Sequence, residues 1–78
     1  MNDPYRQPLR RLLAGMLHGA DALGDDDDLL KLGLDSMGIM RLVTFIEEKL
    51  GVALPDDEIE ASNVRTLGAL VAWIERHR

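Results

Sequence analysis

The sequence predicts an all-α domain, a four-helix bundle with a long connection between its first two helices and a short third helix. Two observations carry this. The composition is rich in Leu and Ala and holds a single Phe, Trp and Tyr, which favours helix over sheet. Apolar residues also recur at helical spacing in segments opened by proline, serine or threonine and closed by glycine or by a break. The 78 residues read as one domain, 1–78, and a chain of this size buries only about 60% of its unfolded surface. Without cysteine, helix packing alone has to hold it.

Pro4 and Pro8 suit a first helical turn, after which Tyr5, Leu9, Leu12, Leu13, Met16 and Leu17 follow one buried face. Arg6, Arg10 and Arg11 stand near the start of this first helix, against its dipole, and are expected to be solvated or paired with the acidic loop. Gly19 and Gly24 bracket a departure from helix. The segment from Ala20 to Leu34 is long for so small a bundle and is expected to be anchored by Leu29, Leu30, Leu32 and Leu34. The run Asp25 to Asp28 lacks the alternating ligands and glycine of a calcium loop, so a solvated turn is expected and no metal.

The second helix is read from Ser36 to Leu50, with Gly51 ending it. Its buried arc holds Ile39, Leu42, Val43, Ile46 and Leu50, with Phe45 at the margin. Met37, Met40, Arg41, Thr44, Glu47 and Glu48 fall on the opposite side, leaving two methionines uncovered beside the serine. Beyond Gly51, Val52 and Leu54 turn inward. Pro55 introduces the acidic first turn of a short third helix anchored by Ile59 and broken at Ser62-Asn63. Thr66 is the expected cap of the last helix, whose Leu67, Leu70, Val71 and Ile74 share a face, with Val64 leading in. Trp73 is placed away from that face, at a groove edge. His18 and His77 stand alone on helices with no partnering carboxylate or cysteine at ligand spacing, and read as surface residues rather than ligands or bases.

The net charge is −5, from fourteen acidic and nine basic side chains. This argues against nucleic acid and anionic membrane surfaces and for basic partner surfaces. No apolar run approaches a spanning length and no signal-peptide core is present, which makes a cytoplasmic location the default expectation. No Ser/His/Asp or Cys/His set suggests catalysis.

Ser36 has two readings from the residues themselves. It can be the N-cap of the second helix, or a hydroxyl placed where a helix N-terminus favours a phosphate ester. The motif Gly33-Leu34-Asp35-Ser36-Met37, with Glu47-Glu48-Lys49-Leu50-Gly51-Val52 and Leu54-Pro55-Asp56 at matching spacings, resembles the carrier proteins of acyl and peptidyl assembly lines. The resemblance runs from Leu9 to Ile74. It implies that Ser36 carries a 4'-phosphopantetheine arm donated by coenzyme A through a phosphopantetheinyl transferase. The motif residues are then Gly33, Leu34, Asp35 and Met37, and the partner face is Asp35, Met37, Met40, Arg41 and Thr44.

The implied protein is a monomeric, non-enzymatic carrier of acyl or aminoacyl thioesters. Its partners are adenylating or acyl-loading enzymes, then condensing or tailoring enzymes or a thioesterase. Met37-Gly38-Ile39-Met40-Arg41 stands where fatty-acid carriers are acidic, so discrete carriers of polyketide and nonribosomal peptide pathways are the nearer likeness. D-alanyl and fatty-acid carriers remain alternatives. From a different class, a small helical adaptor would bind partners through Met37 and Met40 with Ser36 unmodified.

Overall fold

The computed structural model describes residues 3–17 and 23–78; the expectations for His18 and Gly19 lie outside them. Helix α1 spans Arg6–Met16, α2 Ser36–Lys49, α3 Ala61–Val64 and α4 Leu67–His77, with a 3-10 turn at Asp56–Glu58 between α2 and α3. α4 packs against α1 and α3, and α1 packs against α2.

Asp3 opens α1 by accepting the N–H groups of Tyr5 and Arg6 at 2.8 Å, so an Asx turn starts the helix, just ahead of Pro8. Leu9 and Leu13 are fully buried, and Leu12 and Met16 are half-buried. The expected face of α2 is also the observed one: Leu42 and Ile46 are buried, and Ile39, Val43, Phe45 and Leu50 pack at the margin of the core. Gly51, at φ 72°, ends the helix and lets the Val52 N–H turn back to the Ile46 carbonyl.

The long connection is anchored by more than leucines. Leu29 and Leu34 are buried, while the Leu29 N–H donates to the Arg65 carbonyl at 2.6 Å and the Gly68 N–H to the Asp25 carbonyl at 3.0 Å. Arg6 pairs with Asp25 at 2.8 Å, and Arg10 Nε donates to the Leu23 carbonyl at 3.1 Å. Of the three arginines expected to be solvated or paired with the acidic loop, Arg6 and Arg10 are paired and Arg11 is exposed. The acidic run is more than a solvated turn. Asp25 braces α1, and Asp28 Oδ1 accepts the N–H groups of Leu30 and Lys31, because short carboxylates bond readily to backbone a few residues on.

Three expectations about the second half of the chain are corrected. Ser62-Asn63 lies inside α3, and Asn63 stabilises rather than breaks it, donating to the Glu58 carbonyl at 2.7 Å. Trp73 is fully buried, because α4 is covered on more than one side and Glu58 accepts the indole N–H at 2.8 Å. His77 does have a carboxylate partner, its Nε2 donating to Glu58 Oε1 at 2.6 Å. These two hydrogen bonds, Trp73's first, hold the Glu58 carboxyl below the usual carboxylate range.

Candidate functional site

The site begins with a backbone reversal. The N–H groups of Gly33 and Leu34 bond to the carbonyls of Leu30 and Leu29, and Gly33 sits at φ 112°, a conformation that side-chain-bearing residues rarely adopt. The reversal delivers Asp35 to the start of α2 in an extended conformation, and its Oδ1 accepts the Gly38 N–H at 2.9 Å. Asp35 is thus the N-cap, and the reading of Ser36 as the cap is corrected. The cap residue lies just before the first helical residue, and Ser36 is that first residue.

Ser36 is exposed, and its hydroxyl makes no hydrogen bond among the described residues. It stands among the first N–H groups of α2, which have no intrahelical acceptor and where the helix dipole favours negative charge. An arm joined through a phosphodiester fits this position, since the hydroxyl is accessible and nothing in the turn competes for it.

Gly38 was not singled out by the sequence reading and sits at a close approach. It is buried, and a Cβ on it would lie 2.8 Å from Leu34 Cδ1 and 3.0 Å from Met16 Cε. Its missing side chain lets the 33–35 turn and the end of α1 close against the first turn of α2. A glycine inside an apolar helical run was the available signal.

The structure brings most of the expected partner face together. Ser36, Met37, Met40, Arg41 and Thr44 line one side of an open groove of about 790 Å³ between α1 and α2. The far wall comes from α1, with Arg11, Leu12 and Met16, and the α2 side continues to Phe45 and Lys49. Met37 and Met40 are 79% and 50% exposed, as expected for that arc. Gly33, Leu34 and Asp35 line a smaller adjoining cleft that shares Met37 and Arg41 with the groove. The contributions of Arg11 and Lys49 escaped sequence reasoning because they depend on how two helices meet. Among the described residues no cluster of His, Asp or Glu could hold a metal ion, and no helix is long and apolar enough to cross a membrane.

The family model for a phosphopantetheine attachment site matches residues 7–74. The acyl carrier protein of Zymomonas mobilis is 40% identical over 47 residues, covering 60% of this chain and 58% of that protein. The chain thus spans less than two thirds of the length of that relative. The solution structure of a holo acyl carrier protein from Nitrosomonas europaea superposes with a TM-score of 0.77 at 29% identity over 95% of both chains. A glycylated carrier protein, in complex with the glycine:carrier protein ligase of Bradyrhizobium japonicum, shares the fold at TM-score 0.65 and 24% identity, over 87% of this chain and 96% of that one.

The chain belongs to the phosphopantetheine-attachment family. Its four-helix fold is that of the acyl carrier proteins, and the matched family is defined by a serine-borne phosphopantetheine attachment site.

Proposed function

We propose that Ser36 is the attachment residue and that the chain, as a single domain, carries acyl or aminoacyl intermediates to successive biosynthetic enzymes. The observation that carries this reading is the exposed Ser36 hydroxyl at the first residue of α2, relieved of capping by Asp35. The arm's terminal thiol supplies the thioester chemistry. The protein's own residues present it: Gly33 and Asp35 set the turn, and α2 offers the surface that partners read. Those partners are a phosphopantetheinyl transferase, an adenylating or acyl-loading enzyme, and downstream condensing or tailoring enzymes or a thioesterase. Aminoacyl cargo stands beside acyl cargo because a carrier of the same fold is glycylated by its ligase.

The pathway we propose is of the polyketide or nonribosomal peptide type. In support, the exposed arc of α2 after Ser36 presents Met37, Met40 and Arg41, where a fatty-acid carrier presents acidic residues.

The test is the intact mass of wild type and Ser36→Ala after incubation with coenzyme A and a broad-specificity transferase. Wild type is expected to gain one arm, and Ser36→Ala none while keeping its helical circular dichroism. A modified Ser36→Ala chain would overturn the site. An unmodified wild type would leave Ser36 as bare surface and favour the adaptor reading.

A further inference from the structure

The chain's net charge of −5 points to basic partners, but the charges around the α1–α2 groove point the other way. Arg6, Arg10, Arg65 and Arg78 are in ion pairs, and Arg76 donates to Asn63. Arg11, Arg41 and Lys49 have no such partner among the described residues, and all three line the groove; Lys31, on the loop and outside the groove lining, also has none among them. Glu48 is the carboxylate on the groove's lining. The two exposed methionines stand on the same lip, with Phe45 half-buried beside them. An otherwise acidic protein therefore has a locally cationic, apolar furrow that begins at Ser36.

We propose that this groove is a docking site for an amphipathic helix of a partner enzyme whose apolar ridge is flanked by Asp or Glu. The inference deepens the carrier reading by naming the partner's chemistry, but it does not require Ser36 to be modified. The groove runs along α2 from Ser36 to Lys49, about 20 Å at 1.5 Å per residue, which suits a partner helix of three to four turns. A small ligand is enclosed over most of its surface in its pocket, whereas this furrow lies open. Helix-in-groove recognition places apolar anchors at i, i+3, i+4 and i+7, and methionines adapt to them without a fixed shape. Acidic flanks would meet Arg11, Arg41 and Lys49 as opposite charges, and a basic flank would meet them as like charges. Docking here places the partner beside Ser36.

The experiment uses the Ser36→Ala chain as target for a displayed library of helical peptides of roughly 15 residues. The apolar positions i, i+3, i+4 and i+7 are fixed and all others vary freely over acidic, basic and neutral residues. Selected peptides are expected to be rich in Asp and Glu and to shift the amide resonances of 11–16 and 36–49. Their Kd should rise about tenfold or more on Arg41→Glu or Lys49→Glu, with circular dichroism unchanged. Lys- or Arg-rich winners, shifts centred on Asp25–Asp28 or α4, indifference to both charge reversals, or no binders at all would each overturn the proposal. So would the same groove amides shifting in wild type when the arm is attached and no peptide is present, which would make the arm the occupant. Because the target cannot be modified at position 36, acidic winners would stand even if the mass experiment removed Ser36 as the attachment residue. Basic winners would leave a positive mass experiment untouched.

Discussion

Around Glu58 the polar side chains are partnered: Trp73 and His77 both donate to its carboxylate, and Asn63 joins its carbonyl to Arg76. Around Met40 the arrangement is reversed. Arg11, Arg41 and Lys49 stand without an ion-pair partner among the described residues, two methionines face outward, and the Ser36 hydroxyl is unengaged. The first region uses its polar groups to fasten the 3-10 turn, α3 and α4 into one unit. The second leaves its groups open to association. Side chains at the two places should therefore answer differently to substitution.

The largest contrast sets Trp73→Ala against Met40→Ala. Emptying the fully buried Trp73 site should cost about 3–5 kcal/mol, much of the whole stability on the order of 4–12 kcal/mol expected for a domain of this length. Met40→Ala should stay within about 0.5 kcal/mol. Urea titrations followed by circular dichroism compare them directly. Similar losses for the two would abolish the distinction between a fastened and an open side.

A smaller effect sharpens the comparison at the site itself. Asp35→Ala removes the α2 cap and should cost about 1 kcal/mol, whereas the neighbouring Ser36→Ala removes no described hydrogen bond and should cost less than about 0.5 kcal/mol. The same titrations decide it, and a larger loss at Ser36 than at Asp35 would return the capping role to the serine.

The smallest effect concerns Glu58. Hydrogen bonds from Trp73 and His77 lower its folded pKa below the ordinary value of 4.5. The charged form therefore contributes stability that is fully present above that value and is lost as pH falls through the lowered folded value. The melting temperature of wild type should exceed that of Glu58→Gln by a constant margin at neutral pH, and the margin should shrink on acidification below about pH 4.5. A margin independent of pH would show that the carboxylate charge does no work there.

The faces of α2, its end at Gly51, the Thr66 cap, seen in its acceptance of the Ala69 N–H at 3.0 Å, and the motif around Ser36 were legible in the sequence. Each depends on spacing within one element: helical periodicity selects the buried arc, and a cap acts on N–H groups three residues away. The phosphopantetheine family was legible for the same reason, since its motif is short and contiguous.

What the sequence could not decide is what lies across from each face. Trp73 is off the main stripe of α4, and only the covering of α4 on a second side buries it. His77 and Glu58 are nineteen residues apart and meet because the 3-10 turn folds against the end of α4. Asp35 and Ser36 are both competent caps by type, and the backbone reversal at Gly33 assigned the role. Gly38 is permitted by local rules, and the close approach of Leu34 and Met16 side chains to it arises only in the folded packing. The cationic lining of the groove likewise arises from α1 and α2 lying side by side, because net charge sums over the whole chain while a partner meets one surface of it.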